Sequence, residues 1–181
     1  MKQMFDRDYP VTSILLIITT IIFILMFASY GFQYEGLEAL YQFGAVHGST
    51  IQADPSQFWR VFSAIFIHIG LEHFVVNMLT LYFLGRQIET IFGSWKFLLL
   101  YLMSGVMGNI FVIYFSPDTL AAGASTSLFG LFSAVIVLRY TTRNYYIQQL
   151  GQSYISLLAV NLIMSFLPGI SLSGHLGGLV G

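Results

Sequence analysis

The sequence predicts an all-α polytopic membrane protein, a bundle of six transmembrane helices whose sixth helix is truncated at the C-terminus. Three observations carry this. Only 8% of the 181 residues are charged and 56% are hydrophobic, whereas soluble domains carry about 25% charged residues. A helix needs about 20 apolar residues to cross the hydrocarbon layer, and Val11–Tyr34, Phe97–Ser116, Thr119–Leu138 and everything after Arg143 contain no Asp, Glu, Lys or Arg. A membrane β-barrel would show short segments of alternating polarity, and that alternation is missing.

The six helices are expected at residues 11–30, 72–92, 96–115, 125–139, 152–167 and 171–181, with an external loop over 31–60 and an approach to the second span over 60–69. The first apolar stretch follows Lys2 and Arg7. It is longer than the apolar core of a signal peptide and further spans follow, so it reads as a retained anchor. Tyr30, Tyr34, Trp59, Trp95, Tyr114, Tyr140, Tyr145 and Tyr146 cluster near segment ends, where amphipathic rings favour the interface. From His175, the residues Leu176–Gly181 rise too little, at about 1.5 Å each, to reach the opposite face.

Lys2, Arg7, Arg86, Lys96, Arg139 and Arg143 fall on one side of this threading, and Arg60 falls on the other. Cytoplasmic loops are enriched in Lys and Arg, which makes the protein multi-pass with a cytoplasmic N-terminus. The second, fourth and sixth spans then all begin at the external face. Those beginnings hold His73 and Asn77, then Ser125, then His175. A net charge of −1 excludes the basic footprint of a nucleic-acid binder. The chain has no Cys, so disulfides, thiolate metal sites and a cysteine nucleophile are excluded.

Ser125 stands in Gly123-Ala124-Ser125-Thr126, after an external turn with Pro117 and Asp118. Alone, such small residues signal close helix packing. His175 stands in Ser173-Gly174-His175-Leu176-Gly177-Gly178, and an ionisable group inside a span suggests function by default. Glycines around it let another backbone approach closely, so helices four and six can bring Ser125 and His175 together at similar depth. Imidazole then takes the hydroxyl proton as serine attacks a carbonyl.

A soluble triad adds a carboxylate to orient the imidazole, yet none of the eight acids lies near the outer end of the sixth span in sequence. A Ser-His dyad is the economical reading. Phe129 is one turn after Ser125 on the same face, and its ring is expected to stack on the imidazole. His73 and Asn77, four residues apart, share a face of the second helix. Each alone reads as an interhelical hydrogen bond; beside the dyad they are donors for the oxyanion of a tetrahedral intermediate. His68 reads as a cavity or water-site residue, His47 as solvated in the loop, and Asn109 and Asn161 as interhelical glue. His68, His73 and His175 lack the carboxylate or His-Glu-x-x-His spacing of a zinc site, so no metal and no cofactor is expected.

These residues together resemble the rhomboid family of intramembrane proteases. Trp59-Arg60 is similar to that family's Trp-Arg element in the first external loop, His73-x-x-x-Asn77 to its second-span pair and Gly85-x-x-x-Glu89 to the motif at that helix's inner end. Gly123-x-Ser125 and His175-x-x-Gly178 resemble its nucleophile and base motifs. The resemblance runs from about Phe58 to the end. It implies a rhomboid-like bundle in a bacterial cell membrane that cleaves single-span transmembrane proteins, with its active site towards the external face. Ser125 would attack and His175 act as base, while His73, Asn77 and the Ser125 N–H form the oxyanion site. Arg60 would tie down the external loop and Glu89 fix the inner helix ends; on physical grounds alone both read as interface-snorkelling or packing residues. Thr126 stands where many members carry a second glycine.

Two other classes are weighed against a protease. A catalytically inactive membrane chaperone or binder would share the fold. A small transporter would show polar residues at the midplane of several spans, with broken helices. The lipid bilayer is a partner in all three readings, and the sequence carries no signal for oligomeric state.

Overall fold

The structure, a computed structural model, describes residues 6–167 and 169–181; Lys2 lies outside them. Helix α1, Pro10–Tyr30, starts with proline in its first turn, where a missing N–H costs nothing. Its burial is inverted relative to a water-soluble helix. Thr12, Ser13 and Thr19 are buried, whereas Ile14, Ile18, Ile21, Ile24 and Leu25 face outward. An apolar outer face against small polar inner residues is what a lipid solvent selects.

The segment after α1, expected as an external loop, is folded. It contains a 3-10 turn at Gly31–Gln33, helix α2 at Leu37–Phe43, strand β1 at Val46–His47, helix α3 at Gly48–Ala53 and a 3-10 turn at Pro55–Trp59. Strand β1 pairs antiparallel with β2, Leu120–Ala121, in the register Val46↔Ala121. The all-α expectation therefore misses a two-stranded ladder, too short to leave a periodic signal. His47, expected to be solvated, is half-buried; its Nδ1 accepts the Thr50 N–H at 3.3 Å and caps α3. Arg60 is 5% exposed. It donates to Gln57 Oε1 at 2.9 Å and to the Tyr41 and Ala45 carbonyls, and it lies 3.9 Å over the Tyr41 ring and 4.7 Å over the Trp59 ring. One cation thus draws α2, the turn after it and the Pro55–Trp59 turn together.

Helix α4, Arg60–Ser63, runs through a 3-10 turn at Ala64–Phe66 to a break, and the chain then turns by 74° into the next helix. The expected single helix over 72–92 is three pieces: α5 at Leu71–Thr80, a π segment at Leu81–Gly85 and α6 at Arg86–Phe92. The π segment keeps the helical direction, so apolar patterning does not reveal it. Helix α7 spans Ser94–Phe115 and α8 spans Ser125–Thr141. Helix α9 begins at Tyr145 rather than Gln152, because the Asn144 side chain caps it by accepting the Tyr146 and Ile147 N–H groups. It ends at Met164, and α10 covers Leu172–Val180.

By length and apolarity, among the described residues two helical stretches, Pro10–Gln33 and Ser94–Phe115, can cross a membrane, or three if the pair bent by 74° counts as one. The six-span count is not reached by this measure. Helix α8 has 17 residues, about 25 Å at 1.5 Å per residue, against a hydrocarbon layer of about 30 Å.

The main core lies between the π segment, α6, α7, α8 and α9, around Leu84, Ile88, Phe97, Tyr101, Leu131 and Val135. A second cluster, with Val46, Ile51, Val61 and Val112, seats the folded segment after α1 on α7. Asn109 of α7 donates to the Val61 carbonyl at 2.8 Å, an interhelical bond. Asn161 donates instead to Leu157 of its own helix, so it is not glue. Helices α7, α8 and α10 meet through glycines. A Cβ on Gly178 would fall on the Thr126 carbonyl oxygen, one on Gly108 would sit 2.7 Å from the Gly174 carbonyl oxygen, and one on Gly177 would sit 2.8 Å from Gly108 Cα.

Candidate active site

Ser125 opens α8, so its backbone N–H and those after it lack intrahelical acceptors. The approach to it is made by Gly123, whose φ of +143° disfavours any side chain; a Cβ there would lie 2.6 Å from His73 Cε1 and 3.5 Å from Ser125 Oγ. His73 and Ser125 therefore face one small volume. Across the glycine seam, α10 carries His175, which is 8% exposed. Its Nε2 lies 2.9 Å from Ser125 Oγ. The imidazole stacks on Phe129, with centroids 4.1 Å apart and planes 14° from parallel.

The other imidazole nitrogen has a partner that sequence reasoning missed. His175 Nδ1 lies 2.6 Å from Ser165 Oγ, and Ser165, at the end of α9, is 1% exposed. Ser165 stands ten residues before His175 in a different helix, and no local pattern marks it. Its hydroxyl is also 2.8 Å from the Asn161 carbonyl oxygen.

His73 and Asn77 both line the cavity that opens on Ser125 and His175. One amide proton of Asn77 goes to the His73 carbonyl at 2.7 Å, which leaves the second. His68 is fully buried behind this wall, with its ring 5.2 Å from that of His73 and its Nε2 accepting the Ala124 N–H at 3.4 Å. It holds the turn before Ser125 and does not line the cavity. Trp59 ends the Pro55–Trp59 turn and Arg60 opens α4, both away from the cavity lining. Glu89 lies at the other end of the molecule, where it accepts the Val11 and Thr12 N–H groups at 2.9 Å each and the Thr12 and Ser94 hydroxyls at 2.7 Å each. Among the described residues, no group of three or more His, Asp or Glu is placed to hold a metal ion.

The cavity has a volume of about 780 Å³. Val76, Leu128, Phe132, Met164 and Ile170 make much of its wall. An apolar wall with a few convergent polar groups is the usual form of a ligand site.

Residues 55–181 match the family model described as the Rhomboid domain. The chain belongs to the rhomboid family. Among its rhomboid relatives, the protein named Rhomboid protease GluP of Bacillus subtilis (strain 168) is 37% identical over 145 residues, 80% of this chain and 28% of that protein. The Putative rhomboid protease YdcA of the same organism is 28% identical over 181 residues, 99% of this chain and 88% of the relative. Inactive RHOMBOID-like protein 8 of Arabidopsis thaliana is 28% identical over 126 residues, 68% of this chain and 36% of the relative. The chain thus spans less than a third of the length of GluP. Family membership and the apolar helices together make it an integral membrane protein.

Proposed function

We propose that this rhomboid is an intramembrane serine endopeptidase that hydrolyses peptide bonds in or near the transmembrane segments of single-span membrane proteins. The observation that carries the reading is the 2.9 Å contact between Ser125 Oγ and His175 Nε2 at the edge of an apolar cavity. In this reading, residues 1–181 form one membrane domain with the N-terminus in the cytoplasm and the cavity towards the external face.

Ser125 Oγ attacks the scissile carbonyl carbon while its proton passes to His175 Nε2, and the carbonyl electron pair moves onto the oxygen. That oxyanion is met by the Ser125 N–H, the free amide proton of Asn77 and a ring N–H of His73. Collapse breaks the C–N bond, and the imidazolium returns its proton to the leaving amine. Water then repeats the sequence on the acyl ester. Stacking on Phe129 holds the ring in plane without a carboxylate.

Purified protein reconstituted with a single-span substrate tests this, together with labelling by a fluorophosphonate. Wild type is expected to cleave and to be labelled at Ser125, and Ser125→Ala and His175→Ala are each expected to abolish both. Cleavage that survives either substitution overturns the dyad. The relative named inactive motivates one other reading, a non-catalytic binder of membrane segments. Folded wild-type protein that binds such a segment yet resists labelling would establish it.

A further inference from the structure

His175 has a second polar neighbour besides Ser125, and the two contacts of that neighbour determine its proton. Ser165 Oγ lies 2.6 Å from His175 Nδ1 and 2.8 Å from the Asn161 carbonyl oxygen. A hydroxyl has one proton to donate, and a carbonyl oxygen only accepts. If the Ser165 proton went to Nδ1, the 2.8 Å approach of Oγ to the carbonyl would set lone pairs against lone pairs in a site that is 1% exposed. Buried polar contacts left unmade are expensive. One assignment satisfies every contact: Ser165 donates to Asn161, and Nδ1–H donates to Ser165. Nε2 is then the bare nitrogen, and it is the one that faces Ser125 at 2.9 Å.

We propose that Ser165 is a positioning residue for this site, fixing His175 in the Nδ1–H tautomer and accepting from Nδ1 while the ring carries the proton taken from Ser125. The proposal rests on the reading of the site as a Ser-His protease. The Asn161 carbonyl is the terminal acceptor of the chain, so a backbone oxygen ends the line that a carboxylate ends in a soluble triad. The opposite tautomer would direct Nε2–H at Ser125, leaving no base to receive its proton. Ser165 does not line the cavity, so its effect belongs to the rate of the chemical step rather than to binding.

Two measurements test this. NMR of isotope-labelled imidazole nitrogens, with His175 assigned by difference against His175→Ala, reads the tautomer with no reference to activity. Wild type is expected to carry its proton on Nδ1, and Ser165→Ala to show a mixture of tautomers. The second measurement is fluorophosphonate labelling as a function of probe concentration. Ser165→Ala is expected to lower the saturating rate by roughly tenfold to a hundredfold, the span for losing a hydrogen bond to a charged group, with the half-saturating concentration unchanged. Ser165→Thr, which keeps the hydroxyl, is expected to restore the rate. A proton on Nε2 in wild type overturns the proposal, as does a Ser165→Ala saturating rate within twofold of wild type. If Ser165→Ala does not fold, the wild-type spectrum and Ser165→Thr still decide. If wild type is never labelled, the protease reading fails, and the tautomer still decides the role of Ser165.

Discussion

Glu89 caps Thr12 across 77 residues of sequence, taking its backbone N–H at 2.9 Å and its hydroxyl at 2.7 Å with the same carboxylate oxygen. The other oxygen takes the Val11 N–H and the Ser94 hydroxyl. Helix α1 has no side-chain cap of its own, and a negative charge at a helix N-terminus also meets the positive end of the macrodipole. Glu89→Ala is therefore expected to destabilise the protein by about 3 kcal/mol or more, since each hydrogen bond to a charged group contributes about 1.5–3 kcal/mol. Glu89→Gln should recover part of this. Thermal unfolding in detergent measures both, and an unchanged midpoint for Glu89→Ala would remove the cap from the account of stability.

Asn77→Ala should leave the fold intact and slow fluorophosphonate labelling by about a hundredfold to a thousandfold, the range for losing one oxyanion donor. Half-saturation by the probe should barely move, because the bond is made to the developing charge. A loss below about threefold would reduce Asn77 to its observed bond with the His73 carbonyl.

Replacing Phe129 probes the stacked imidazole. An aromatic pair in this geometry contributes about 0.5–1.5 kcal/mol beyond area burial, so Phe129→Leu should cost roughly twofold to tenfold in labelling rate. Phe129→Tyr keeps the ring face and should stay near wild type. Equal losses in the two variants would mean that volume, not stacking, is what His175 needs.

Gly178→Ala puts a methyl group onto the Thr126 carbonyl oxygen. Overpacking a tight contact costs about 1–3 kcal/mol, and backbone cannot swing aside as a side chain does. The expected result is a lower unfolding midpoint together with loss of labelling, because α10 carries His175 on the same seam. Full labelling in this variant would show that the spacing of α8 and α10 has slack.

Much of this architecture can be read from the sequence because a bilayer writes in long words. Charge-free runs mark α1 and α7, and the glycines around His175 mark a close seam. The four-residue step from Ser125 to Phe129 puts both on one helical face, and that ring is the one lying on His175. Other features leave no such trace. The start of α9 depends on one capping side chain, Asn144, ahead of a polar first turn that apolarity counts discard. The π segment keeps the hydropathy of an ordinary helix. Ser165 is a lone serine at a helix end, and only the packing of α9 and of α10 against the same helix, α8, reveals what its hydroxyl touches.

The seam where Gly108, Gly174, Gly177 and Gly178 bring α7, α8 and α10 together also sets how the site responds to its surroundings. A contact between side chains is elastic, since rotamers shift to absorb a change in temperature or bilayer thickness. A contact of main chain on main chain has no rotamers to shift. The gap between nucleophile and base is therefore held like a mortised joint, and a thinning or thickening bilayer deforms the softer margins of the molecule first.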